Sequence, residues 1–156
     1  MSSGILVKIF DEKVFTNGEL LSICKDINLK LDSIYQDKLT AVLDQADILS
    51  IHLPLLPETE DIISTNELSL LKPSISIINT ARGGIVNESA LHAFLLSKPD
   101  SFAAFDVYAE EPVLESPLFE LPNFFGTSHR SSLTHEGINA MGLAAIAGLD
   151  DNKILT

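Results

Sequence analysis

Short runs of branched apolar residues alternate along the chain with stretches whose apolar positions recur at helical spacing. Residues 5–10, ILVKIF, are a near-continuous apolar run and predict a buried strand ending at Asp11. Leu20, Leu21 and Ile23 mark a helix over 16–26, opened by Thr16 or Asn17. Residues 27–31, INLKL, alternate and predict a second strand. Asp37 can cap a helix running to about Ala46, with Leu39, Val42 and Leu43 on its apolar face. Residues 47–53, DILSIHL, predict a further strand, stopped by Pro54 and Pro57.

The second half keeps the same rhythm. Ser64 with Glu67 three residues later is a capping-box pattern, opening a short helix that Pro73 closes. Residues 74–78, SISII, predict a strand, and 81–84, ARGG, the turn after it. Asn87 caps a helix to about Ser97. Residues 102–106 predict another strand, 112–122 a Pro-rich loop and 124–128 a last strand. A helix over 134–149 follows, and its Ala and Gly residues at 141–148 predict close helix packing. Strands separated by short helices imply one α/β domain, a parallel sheet covered on both faces, and no repeat or linker divides it.

Composition narrows the picture. With 156 residues, 46% apolar and 21% charged, the chain is an ordinary globular domain and not a disordered one. Ten basic against 22 acidic residues give a net charge of −12, which argues against a broad nucleic-acid or anionic-membrane surface. Cys24 stands alone, so no disulfide forms within the chain; it reads as a core residue, and a reducing, cytoplasmic setting fits best. No apolar run approaches the ~18 residues of a membrane span. The MSSG start has no basic region of the kind that opens a signal peptide.

In an open parallel sheet, ligands bind outside the carboxyl ends of the strands. The residues predicted there are Asp11, His52, residues 79–84 (NTARGG), residues 106–111 and residues 127–129. Each has a plain structural reading. Asp11 can be a turn residue, His52 a satisfied imidazole, Arg82 a surface cation, Glu110 and Glu111 solvated acids, and His129 a strand cap. His92 and His135 read as structural or exposed. The concentration of one Arg, several carboxylates and two His at successive strand ends argues for a site.

At these residues the chain resembles the D-isomer-specific 2-hydroxyacid dehydrogenases. The resemblance rests on NTARGGIV at 79–86, DVYAEEP at 106–112 and PNFFGTSH at 122–129, with ADILSIHLPL at 46–55 and PET at 57–59 before them. The order and spacing agree over about residues 5–150. The resemblance implies a parallel-sheet, Rossmann-like NAD-binding domain acting on a small 2-hydroxy or 2-oxo acid, with Arg82, Glu111 and His129 catalytic. Reducing a 2-oxo acid needs a hydride at the carbonyl carbon and a proton at its oxygen. An imidazole can give and retake a proton near neutrality, and a carboxylate beside it stabilises the imidazolium. A guanidinium can grip the substrate carboxylate through two parallel hydrogen bonds, which an ammonium cannot.

For the cofactor, an acid at Asp11 can accept hydrogen bonds from the adenosine ribose and disfavour a 2′-phosphate. The resemblance implies that Asp106 contacts the nicotinamide carboxamide. It also implies that His52, Leu53, Pro54, Thr59, Thr80, Ala81, Arg82 and His129 line the cofactor site, and it implies no metal.

Several features depart from the family pattern. The eight Gly, at 4, 18, 83, 84, 126, 137, 142 and 148, make no Gly-x-Gly-x-x-Gly fingerprint. Residues 1–156 are therefore expected to be a partial NAD-binding domain that begins at the second strand. The first strand, the fingerprint, the first helix and most of a substrate domain would be missing. Ser128 stands where the family usually has Pro, Ser131 and Ser132 replace a Gly pair, and Asn87 replaces an Asp while still able to cap a helix. Two functions follow: a hydride-transferring dehydrogenase, or a catalytically impaired fragment serving as a dimerising or binding module. An uncovered sheet edge would in either case favour a homodimer.

Overall fold

A computed structural model of the chain describes residues 38–151. The strands predicted over 5–10 and 27–31, the helix over 16–26, and Asp11, Cys24 and Asp37 lie outside the described residues.

Helix α1 (Thr40–Leu43) leads into β1 (Ile48–Ile51), α2 (Thr65–Ser69) and β2 (Ser76–Asn79). Helix α3 (Glu88–Ser97), β3 (Phe102–Phe105), a 3-10 turn (Pro117–Glu120), β4 (Phe124–Gly126) and α4 (His135–Asp151) complete the order. The four strands form one sheet in the order β1-β2-β3-β4, and each neighbouring pair is parallel. The register aligns Ile51, Asn79, Phe105 and Gly126 in one row across the sheet. That row is its carboxyl edge, so His52, Thr80, Asp106 and Thr127 all follow it directly.

Period-two alternation decides what each strand buries. Leu49, Ile51, Ile77, Ala103 and Phe105 are buried together with Leu68 of α2 and Leu91, Phe94 and Leu95 of α3. Full burial of one such Leu or Ile contributes roughly 2 kcal/mol. On the alternate face Ile48, Phe102 and Phe125 are exposed. Among the described residues the sheet is thus covered by helices on one face, where the sequence predicts two.

The caps follow the sequence closely. Ser64 and Glu67 form the reciprocal capping box of α2, and Asn87 Oδ1 accepts the Ala90 N–H at 2.9 Å to open α3. Helix α3 ends without a glycine. Instead Asn123 Nδ2 donates to the carbonyls of Leu95, Lys98 and Ser101 at 3.1, 3.3 and 3.0 Å, tying the helix end and the residue before β3 to the start of β4.

Some elements are shorter than predicted. Helix α1 is one turn, closed at Asp44; Thr40 and Val42 branch at the β-carbon and favour helix weakly. Strand β1 stops at Ile51 because its ladder partner β2 ends at Asn79. Strand β4 stops at Gly126, and His129 then turns with φ 49°. The close packing expected of the Ala-Gly stretch is not found among the described residues. Apart from its chain neighbours and the helix's own backbone, no described residue lies within 4 Å of where a β-carbon on Gly142 would be. Helix α4 leaves the end of the sheet, and Ile138, Met141, Leu143 and Ile146 remain exposed. No helix among the described residues is long and apolar enough to cross a membrane.

Candidate active site

The turn after β2 is closed from within by Asn79, which is buried at the end of its strand. Its Oδ1 accepts the Ala81 N–H at 3.1 Å and its Nδ2 donates to the Arg82 carbonyl at 2.9 Å. Arg82 is exposed, and its Nη1 donates to the Ala81 carbonyl at 2.6 Å. Among the described residues no carboxylate is within ion-pair distance of it. A cation held over a strand end without an internal counter-charge is ready for an external anion. Gly83 explains how closely this turn lies to the next loop: a β-carbon there would fall 1.8 Å from the Tyr108 carbonyl oxygen and 2.5 Å from the Ala109 nitrogen. Gly84, at φ 78°, occupies the left-handed region that other residues disfavour.

The loop after β3 carries two carboxylates of different kinds. Asp106 is buried. Its Oδ1 accepts the Arg130 N–H at 2.8 Å and the Thr127 hydroxyl, and its Oδ2 accepts the Ser131 N–H at 2.8 Å. Burial pushes its carboxyl upward, but the hydrogen bonds from Ser131, Thr127 and Arg130 outweigh this and hold it well below the ordinary carboxylate range. Glu111 is more exposed. Its Oε2 meets His129 Nδ1 at 2.7 Å and its Oε1 accepts the Tyr108 N–H at 3.0 Å. The bond from His129, then that from Tyr108, lowers its carboxyl below the ordinary value. An ionised carboxylate only accepts, so Nδ1 carries a proton and Nε2 is the ring atom left for chemistry.

Tyr108 braces both loops. Its ring is buried edge-on against Phe119 at 5.6 Å, and its hydroxyl donates to the Phe105 carbonyl at 3.3 Å. Burial first, then the negative charges of Asp106, Glu88 and Glu111, raise the hydroxyl above its ordinary value, keeping it a neutral donor. Glu88, at the start of α3, accepts the Ala109 N–H at 2.7 Å and fixes the far side of the loop.

Arg82, Glu111 and His129 therefore lie on loops that leave the same edge of the sheet, and Glu111 and His129 touch. His52 follows β1, where its Nε2 pairs with Ser50 Oγ at 2.8 Å. Between the ends of β1 and β2 opens a cleft of about 430 Å³ lined by His52, Leu53, Pro54, Leu55, Thr80, Ala81 and Arg82. Thr59 does not face it: this buried residue's hydroxyl donates to the Pro54 carbonyl at 2.6 Å and accepts the Leu56 N–H at 2.8 Å, which shapes the loop. Glu110 and His92 border a separate groove of about 520 Å³ between α3 and residues 109–118. Residues 106–111 and 127–129 were expected at this edge, but the bonds of the Thr127 hydroxyl and the Ser131 N–H to Asp106 were not legible, because these partners lie 21 and 25 positions away in the chain.

Residues 7–131 match the family model described as "D-isomer specific 2-hydroxyacid dehydrogenase, NAD binding domain". The chain belongs to this family. It is 38% identical over 106 residues to the D-3-phosphoglycerate dehydrogenase of Methanocaldococcus jannaschii, a match taking in 68% of this chain and 20% of that relative. It is 38% identical over 112 residues to the glyoxylate/hydroxypyruvate reductase B of Pectobacterium atrosepticum, covering 71% of this chain and 35% of the relative. The crystal structure of a glyoxylate reductase from Paecilomyes thermophila superposes with a TM-score of 0.69 at 32% identity, over 76% of this chain and 36% of that one. The matches thus span a fifth to about a third of these longer relatives.

Membership of the family implies NAD, and the cleft suits it. Leu53, Pro54, Leu55 and Ala81 give the cleft apolar lining, and His52, Thr80 and Arg82 give it polar groups. Its volume lies within the ~300–1,000 Å³ common for small-molecule sites.

Proposed function

We propose that the chain forms the cofactor-side half of an NAD-dependent 2-hydroxyacid dehydrogenase, with the substrate domain supplied from outside these 156 residues. The observation that carries this reading is the 2.7 Å contact of His129 Nδ1 with Glu111, on the same sheet edge as Arg82. NADH, when bound in the cleft, supplies the hydride that the carbonyl carbon of a 2-oxo acid receives. His129 holds a proton at Nε2 and passes it to the carbonyl oxygen, so that C=O becomes CH–OH; the reverse reaction returns it. Glu111 keeps Nε2 facing outward by holding Nδ1 and stabilises the imidazolium before transfer. Arg82 grips the substrate carboxylate with two N–H groups and polarises the adjacent carbonyl. His52, Leu53, Pro54, Thr80 and Ala81 line the cofactor cleft, and Asp11 takes the adenosine ribose hydroxyls. A homodimer in a reducing cytoplasm completes the reading.

The test is to join the chain to the substrate domain of a relative and follow NADH oxidation with small 2-oxo acids. Turnover is expected, falling roughly 10²–10⁴-fold in His129→Ala as the general acid is lost. Arg82→Lys should also be severe, since charge remains while the two-pronged geometry goes. A folded assembly that binds NADH yet is inert toward every small 2-oxo acid would overturn the proposal in favour of a binding module.

A further inference from the structure

We infer that Arg130 is a specificity-determining residue, selecting 2-oxo acids whose far end carries a second anionic group, a carboxylate or a phosphate ester. The inference rests on the reading of Arg82 as the substrate-binding group and His129 as the proton-transfer group. The chain has ten basic residues; Arg82 and Arg130 are its two arginines, and the other eight are lysines. Both arginines stand at the carboxyl edge of the sheet, Arg82 in the turn after β2 and Arg130 directly after His129, in the segment that follows β4. Lys72 and Lys98 precede β2 and β3, so they lie at the opposite edge, and Lys72 is paired there with Asp47 at 2.8 Å. Arg130 is exposed, and among the described residues no carboxylate is within ion-pair distance of it. Its backbone is held all the same. The N–H donates to the Asp106 carboxylate at 2.8 Å, and the carbonyl accepts the Leu133 N–H at 3.0 Å. A chain of net charge −12 thus keeps two guanidiniums without an internal counter-charge at one edge, where its overall field would otherwise repel an anion. Their order matches the order of groups along a substrate. With the first carboxylate on Arg82 and the C2 carbonyl oxygen at His129, the substrate chain runs on past the imidazole, beside which Arg130 stands. A guanidinium suits a second anion because its planar fork binds carboxylate and phosphate alike. A neutral tail leaves Arg130 hydrated and gains nothing from it, so the selection is a difference between two substrates.

Two arginines make the test direct, because ¹⁵N-arginine labelling of the 156-residue chain gives two side-chain Nε–H signals, which Arg130→Gln assigns. The labelled chain, with NADH present, is titrated with 2-oxopentanoate, 2-oxoglutarate and 3-phosphohydroxypyruvate. 2-Oxopentanoate is expected to move the Arg82 signal alone. The two acids with a second anion are expected to move both signals and to bind roughly tenfold more tightly, as a hydrogen bond between charged groups allows. Arg130→Gln should abolish that preference. A response to one of the two supports the inference and names the anion as carboxylate or phosphate. A second anion that leaves Arg130 unmoved, or brings no gain in affinity, would overturn it. So would inorganic phosphate moving both arginines as far as 2-oxoglutarate does, since plain ionic attraction would then suffice. In the assembled enzyme, an Arg130→Gln variant that binds NADH more weakly but keeps its ratio of kcat/KM for 2-oxoglutarate over 2-oxopentanoate would also overturn it. Binding is read without turnover, so the two readings fail separately. Movement of Arg82 alone by every acid defeats this inference and leaves the dehydrogenase standing; movement of both arginines, with no acid turned over by the assembled protein, defeats the dehydrogenase instead.

Discussion

His129 sits in the left-handed region at φ 49°, where a β-carbon costs about 1–2 kcal/mol and glycine costs little. His129→Gly should therefore be more stable than His129→Ala by about 1 kcal/mol, as measured by urea unfolding. Equal stabilities would show that the backbone relaxes out of this conformation once the imidazole is gone. Asp106 presents a different residue-scale test. Its carboxyl is held below the ordinary value of ~4 that it has in an unfolded chain. The ionised form thus stabilises the fold fully above pH ~4, and this contribution is lost as pH falls toward the folded value. Asp106→Asn turns an acceptor into a donor opposite a backbone N–H, leaving that group unsatisfied at a cost of roughly 2–3 kcal/mol at pH 7. Unfolding measured at pH 7 and again at pH 3 should show the gap to the parent chain narrowing in acid. A gap independent of pH would mean that the carboxylate charge contributes nothing.

At the scale of elements, a glycine in a turn and a glycine in a helix should behave oppositely. At Gly83 a methyl group would meet the Tyr108 carbonyl at 1.8 Å, and backbone cannot swing aside as a side chain can. Gly83→Ala is expected to destabilise the chain by roughly 1–3 kcal/mol and to pull the Arg82 turn away from the Glu111 loop. Gly142 lies within α4 with no described residue from another element crowding it, so Gly142→Ala should strengthen that helix by about 0.5–1 kcal/mol. Thermal unfolding tests the first, and slower amide hydrogen exchange along residues 138–146 the second; a stabilising Gly83→Ala would refute the close approach. The contrast also shows what a sequence discloses. Strand ends, the Ser64–Glu67 box and the Asn87 cap depend on near neighbours and can be read in advance. The contact of Gly83 with Tyr108 depends on how two loops meet, and no local pattern records it. Helix α1 is short for a local reason: its apolar spacing resembles that of a longer helix, but Thr40 and Val42 favour helix weakly and it closes at Asp44 after one turn.

For the molecule as a whole, the parallel sheet and the shared edge were legible because strands joined by short helices leave few topologies. Which surfaces stay open was not, since that depends on what packs where. Among the described residues, α4 exposes Ile138, Met141, Leu143 and Ile146, with Leu143 69% accessible, and the sheet exposes Ile48 and Phe125. Apolar surface of this extent favours association. The net charge of −12 acts against it, because two copies repel each other over the Debye length, ~8 Å at physiological salt and shorter above it. The two effects respond oppositely to salt, which makes their balance measurable. We expect sedimentation at tens of micromolar, a rough scale for association through exposed apolar surface, to show a dimer or larger species that grows as salt is raised. The double substitution Met141→Glu and Ile146→Glu should shift the chain toward monomer by removing apolar surface and adding repulsion together. Association that weakens with salt would point to ion pairs between copies. Association untouched by both substitutions would place the contact elsewhere, with the exposed sheet face around Ile48 and Phe125 the next surface to alter.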